Sequence, residues 1–328
     1  MAADRFASAS PAQGSRTSDS PLKTAGGHRW HGARSGWASS RWGAAALLAL
    51  GACSTPPSGP APRPDAPGEW IAVTSMASLY VERGGSGPPL VLIPGAGMDL
   101  RMWAGVLPML EESYEVIRYD PRGVGLSDWV EGAFDHPTDL AKLLDDLGLD
   151  RVHLAGLGEG GKIALDMALA HPQRVESLCL ASPLLSGHDP DSADGAEVRR
   201  TRRSNIPSRV ASAWLRHPRM APAMEHRRLA PLVTDLVEAN AANWMRMDRE
   251  RPLLPSAAAR LGDVIQPVLL TMGSRDTRDQ HSVALLLESQ VPLLVRRDVP
   301  DASHLLAIER PEWFAAALLD FLEHVAEG

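Results

Sequence analysis

Val152-His153-Leu154-Ala155-Gly156-Leu157-Gly158-Glu159-Gly160-Gly161 is the stretch on which the fold turns. An apolar run closes on G-x-x-x-G and continues into a helical pattern from Gly160 to Ala170, the layout of a buried strand, a sharp turn and a helix. Turns of this form, written G-x-S-x-G, lift a central serine clear of a sheet as a nucleophile. Here the central residue is Gly158. A glycine has no side chain with which to attack a carbonyl, so the commonest chemistry of the turn lacks its first reagent.

Working outward, short β-branched or apolar runs alternate with amphipathic stretches. Residues 71–75 and 79–83 read as a hairpin, and Leu90-Val91-Leu92-Ile93 is apolar enough to be buried on both faces. Further strands are expected at 115–119, 151–155, 177–180, 267–272 and 293–298. Helices are expected at 100–112, 137–147, 160–170, 282–290 and 311–326. Such repetition predicts an α/β fold with a mostly parallel eight-stranded sheet covered by helices on both faces. The alternation breaks at 184–261, which reads as a helical lid over the carboxyl ends of the strands. That divides the sheet domain into a first part, 69–183, and a second part, 262–328. Between Ala196 and Arg260 the lid carries 13 Arg and no Lys against 6 acidic residues.

Four further segments carry a resemblance. They are Leu92-Ile93-Pro94-Gly95-Ala96-Gly97, Tyr119-Asp120-Pro121-Arg122-Gly123-Val124-Gly125-Leu126-Ser127-Asp128, Val268 to Asp276, and Ala302-Ser303-His304-Leu305 followed by Glu309-Arg310-Pro311-Glu312-Trp313. With the stretch at 152–161, they resemble the α/β-hydrolase superfamily, in its lid-containing esterase and lyase-like branch, over essentially all of residues 70–328. The resemblance implies a triad acid at Asp276, a triad histidine at His304, a degenerate nucleophile position at Gly158, and oxyanion-hole N–H groups on Ala96 and Glu159.

In a triad, an imidazole takes the nucleophile's proton while a carboxylate fixes its tautomer. Removing the serine from such a site costs on the order of a millionfold in kcat, so a serine-esterase reaction is not expected. Glycine also relaxes a turn that strains other residues by roughly 1–3 kcal/mol. A His304–Asp276 dyad still serves as a general base near neutral pH, acting on a small apolar ligand. The alternatives are an inherited structural pair and a non-catalytic ligand-binding or partner-binding protein. Glu159 reads as a charge at a helix N-terminus, Ser182 as a turn residue that also faces the pocket, Ser127 as structural, and Asp99 as a helix cap. No cofactor and no metal site is expected.

In the lid, Arg199, Arg200, Arg202, Arg203, Arg227 and Arg228 form either a solvated face or an attraction for an anionic ligand. Trp214, Trp244, Met220, Met224, Met245 and Met247 read as lid core that also suits an apolar substrate. A formal net charge of −7 gives no support to nucleic-acid binding. Two cysteines, Cys53 and Cys179, make no disulfide framework.

Residues 1–52 stand apart. Residues 1–42 carry 5 Arg and 1 Lys against 2 Asp, and a short apolar run, too short to span a bilayer, follows from Gly43. That is the layout of a signal peptide. Leu50-Gly51-Ala52-Cys53 resembles the lipobox of bacterial lipoproteins, in which the cysteine takes a lipid. Residues 53–68, with six prolines, then read as an extended tether. An exported cell-envelope lipoprotein anchored through Cys53 is one expectation, and a cytoplasmic protein with an unfolded N-terminal extension is the other.

Overall fold

The computed structural model describes residues 63–129, 132–188, 200–201, 203–244 and 250–327. Cys53, the apolar run before it, Arg199, Arg202, Met245 and Met247 lie outside the described residues.

Eight strands form one sheet: β1 Glu69–Thr74, β2 Ala77–Gly85, β3 Pro89–Ile93, β4 Glu115–Tyr119, β5 Val152–Leu157, β6 Val175–Ala181, β7 Val268–Gly273 and β8 Leu294–Val299. Their order is β1-β2-β4-β3-β5-β6-β7-β8. β2 pairs antiparallel with both β1 and β4, and every other neighbour is parallel. The chain reverses its direction of growth around β3, leaving β4 on one side and β5 on the other. Ligands of open α/β sheets bind at the carboxyl ends of strands at such a switch point.

Alternation along the strands makes two cores. Leu90, Leu92, Ala155, Leu157, Cys179, Ala181 and Leu269 face one side, packed against helices α1 (Leu107–Leu110), α8 (Leu306–Glu309) and α9 (Pro311–Glu327). Val91, Ile93, Leu154, Leu178, Leu180, Leu270 and Met272 face the other, against α2 (His136–Asp146), α3 (Glu159–Ala170) and α7 (Arg278–Gln290). Central strands covered on both faces need no polar alternation, which is why they read as continuous apolar runs.

Between β6 and β7 the chain forms α4 (Pro207–Leu215), α5 (Ala221–Glu225) and α6 (Ala230–Trp244). Their buried residues Val210, Trp214, Met220, Val233, Leu236 and Val237 join the core that α9 covers. The insertion is therefore built into the fold rather than set loosely on it.

The helix expected at 100–112 is corrected. Asp99 caps a short 3-10 turn, Leu100–Trp103, by accepting from the Arg101 N–H at 3.1 Å, and α1 is a separate turn. Gly105 lies in the break and Pro108 has no N–H to extend a helix across it. Of the proline-rich stretch, Arg63 donates to Ser78 Oγ at 2.8 Å and the Gly68 N–H donates to Tyr80 Oη at 2.9 Å. Among the described residues, no helix is long and apolar enough to cross a membrane.

Candidate active site

The turn after β5 holds Gly158 at φ 53°, ψ −110°, in the left-handed half of conformational space where a side chain is strained. Its N–H donates to the Ala181 carbonyl at 2.9 Å, and its own carbonyl accepts from Leu184 N at 2.9 Å and Lys162 N at 3.1 Å. The turn is thus gripped from the end of β6. Close approach by α3 is permitted at Gly160, where a Cβ would stand 2.1 Å from the Ile93 carbonyl oxygen and 2.7 Å from that of Pro94. The start of α3 and the loop after β3 are therefore in contact. Ala96 follows in that loop and Glu159 opens the helix. Among the described residues, neither backbone N–H has an acceptor.

His304 comes to this point from the loop after β8. A Cβ built on Gly158 would lie 3.0 Å from His304 Nε2 and 3.5 Å from Cε1, with no other atom of the described residues within 4 Å beyond its chain neighbours. The other ring nitrogen, Nδ1, is 3.3 Å from Asp276 Oδ2. The histidine loop is tied down by Arg275 N–H to the Ala302 carbonyl at 2.9 Å, and by Ser303, whose N–H donates to Glu309 Oε2 at 3.0 Å and whose hydroxyl donates to Glu309 Oε1.

Asp276 has a fully buried side chain. Burial pushes its carboxyl up, but His304, the neighbouring Ser182 hydroxyl and the Thr277 N–H, at 2.7 Å from Oδ1, outweigh that and hold it below the usual carboxylate range. Asp276 is therefore ionised at neutral pH and accepts the proton carried on Nδ1. In the neutral imidazole that leaves the lone pair on Nε2, the ring nitrogen beside residue 158.

The remaining expected residues fall into place around this pair. Glu159 turns its carboxylate away to Lys162, at 3.3 Å, and Lys162 is also shared by Glu250 at 2.6 Å and Asp166 at 3.6 Å. Ser182 is wholly buried at φ 42°, its carbonyl accepting from Gln280 Nε2 at 2.6 Å. Ser127 is structural, since it donates to the Asp120 carbonyl and accepts from the Tyr80 N–H at 2.8 Å. Trp214 and Trp244 meet edge to face at 4.3 Å, and Trp244 Nε1 would stand 3.4 Å from a Cβ on Gly97, beside Ala96. Arg200, Arg203, Arg227 and Arg228 are exposed.

Sequence reasoning gave no role to Asn240 or Gln280, and quoted Glu309 only as part of the segment after His304. A lone amide on the apolar face of α6, between Leu236 and Ala241, is the signal that points to Asn240.

The family profile described as alpha/beta hydrolase fold matches residues 88–204. The RutD protein of Azorhizobium caulinodans, a proposed carbamate hydrolase, is 28% identical over 258 residues, covering 75% of this chain and 95% of that protein. A fluoroacetate dehalogenase of a Burkholderia species is 42% identical over 105 residues, covering 30% of this chain and 34% of the dehalogenase. Among solved structures, a hydrolase from Pseudomonas aeruginosa PA01 superposes with a TM-score of 0.66 at 27% identity, covering 78% of this chain and 98% of that one.

Proposed function

Because the chain has the α/β-hydrolase fold, we propose that it acts through the His304–Asp276 dyad as a general base on a small apolar ligand, without a serine nucleophile. The observation that carries this reading is the 3.0 Å between His304 Nε2 and the place of a Cβ on Gly158. The imidazole remains aimed where a reacting proton would stand, although residue 158 supplies none. Asp276, kept ionised, holds the tautomer and stabilises the imidazolium that forms. The N–H groups of Ala96 and Glu159 stabilise negative charge developing on a carbonyl oxygen, an arrangement whose donors each contribute about 3–4 kcal/mol in related sites. Trp214 and Trp244 beside Gly97 favour an apolar ligand, and the exposed arginines of the insertion, which acts as a lid, admit an anionic one.

The test is turnover of short-chain p-nitrophenyl esters by the wild type and His304→Ala. The reading expects slow hydrolysis, lowered about 100-fold or more in the variant. Equal rates in the two would sink it.

A second reading is a binding protein without catalysis. Gly158 favours it, since glycine at φ 53° removes strain that an enzyme retains for the sake of a nucleophile. Under that reading His304→Ala leaves ligand affinity unchanged and no turnover exists to lose.

For its location we propose anchoring in the cell envelope through a lipid on Cys53, on the strength of the Leu50-Gly51-Ala52-Cys53 sequence after a basic, apolar leader. Palmitate labelling of the full chain that is lost in Cys53→Ser is the expected result. Unlabelled protein in the soluble fraction would favour the cytoplasmic reading.

A further inference from the structure

The side chain missing at residue 158 leaves a notch with a defined chemistry. One wall is His304 Nε2, a hydrogen-bond acceptor because Nδ1 is committed to Asp276. The floor is the Cα of Gly158. The N–H of the very next residue, Glu159, and that of Ala96, in the loop that packs on Gly160, have no acceptor among the described residues. Within 4 Å of the point where a Cβ would stand, the imidazole is the only described group apart from the chain neighbours. An oxygen set to one side of that point, rather than on the line from Gly158 Cα to Nε2, can touch the Cα and hydrogen-bond the imidazole at once. The smallest protic molecules that can make both contacts are water, about 30 Å³ in the liquid, and a short alcohol.

We infer that this notch binds a small protic nucleophile, water or a short alcohol, as a co-substrate, and that the acyl group of an activated ester passes to it in one displacement without an acyl-enzyme. The inference rests on the general-base reading and names its second substrate. His304 Nε2 removes the O–H proton as the oxygen adds to the acyl carbonyl, whose oxygen takes the negative charge and accepts from the Ala96 and Glu159 N–H groups. Collapse reforms the carbonyl, breaks the bond to the leaving oxygen, and returns the proton from the imidazolium to that oxygen. Water yields acid and alcohol, and methanol yields the methyl ester.

The experiment uses the full chain with p-nitrophenyl acetate, with and without methanol, in wild type, Gly158→Ala, Gly158→Ser and His304→Ala. Since the nucleophile enters the only chemical step, wild type shows no burst, and methanol raises p-nitrophenol release saturably, with methyl acetate formed. In Gly158→Ala the methyl group takes the place of the nucleophile, and both the water and the methanol reactions fall about 100-fold. Gly158→Ser is the control for a Cβ at this position, since its His304-dependent burst reports an undistorted site.

Wild-type turnover that depends on His304 but is indifferent to Gly158→Ala and to methanol overturns the notch while sparing the general base. Turnover indifferent to His304→Ala overturns both, as does the absence of any turnover, with or without methanol. A burst in the wild type shows a covalent intermediate and likewise overturns the inference.

Discussion

Asn240 Nδ2 donates to Asp99 Oδ2 at 2.9 Å, joining residues 141 positions apart in the chain. The same amide accepts from the Gly125 N–H at 2.8 Å through its oxygen. Asp99 stands in the segment after the Ala96 loop, and Gly125 lies in the turn after β4. One buried side chain of α6 therefore fastens the insertion to two loops at the carboxyl edge of the sheet. Arg101 completes the cluster, donating to both oxygens of Asp99 at 2.9 and 2.8 Å and to Asp235 at 2.6 Å.

Asn240→Leu keeps the bulk and removes both of these bonds, together with the one Nδ2 donates to the Leu236 carbonyl at 2.9 Å, leaving the Gly125 N–H without its partner. A loss of about 1–3 kcal/mol is expected, read as a lower urea midpoint at unchanged slope. Faster limited proteolysis between β6 and β7 accompanies it if the asparagine holds the insertion down, whereas unchanged cleavage would contradict that role.

Asp120 gives a pH dependence with a definite sign. Burial, opposed by the N–H groups of Leu126 and Leu100, each 2.8 Å away, and reinforced by Asp99 and Glu82, pushes its carboxyl from 3.8 up to about 7. Between those values the folded chain keeps a proton that the unfolded chain has lost, so this group's contribution to stability falls as pH rises from about 4 to about 7. Asp120→Asn cannot ionise and is less stable than wild type at pH 4, having lost one acceptor. The gap closes by up to about 4 kcal/mol toward pH 8. Denaturant titrations of both proteins across that range check it, and a gap that widens with pH would show the sign to be wrong.

Arg122 forms a buried two-point pair with Asp139, at 2.7 and 2.6 Å, and lies 5.2 Å over the ring of Phe134. Removing one partner leaves an uncompensated charge, so Arg122→Ala is expected to destabilise the protein by about 3–5 kcal/mol. The double variant Arg122→Leu with Asp139→Leu is expected to recover much of that loss. Thermal or urea unfolding measures both, and similar stability for the wild type and Arg122→Ala would remove the pair from the account of the fold.

These relationships mark what is legible in the sequence. The strands and helices around β5 are readable because a buried parallel strand and a tight turn leave strong local signatures, and Gly156, Gly158 and Gly160 are spaced by that geometry. His304 and Asp276 are named by the resemblance that the segments Val268 to Asp276 and Ala302-Ser303-His304-Leu305 carry, since the strand before His304, with Arg296, Arg297 and Asp298, is not itself apolar. The segment after Leu100 is less so: its apolar spacing resembles a helix, while Gly105 and Pro108 divide it into two short turns. Asn240 and Gln280 act through partners 141 and 98 residues away, and no local pattern records a contact of that span. Asp120, Arg122 and Ser127 stand out in sequence as a motif, and their reason is visible only in three dimensions, where they pin the loops around the site.

The most direct measurement is the pre-steady-state release of p-nitrophenol from a short-chain ester by Gly158→Ser, alone and combined with His304→Ala. If the imidazole is aimed at residue 158 and held by Asp276, the single variant gains a burst equal to the enzyme concentration, and the double variant loses it. A folded Gly158→Ser protein without a burst would contradict the claim that this site retains a working base and oxyanion hole.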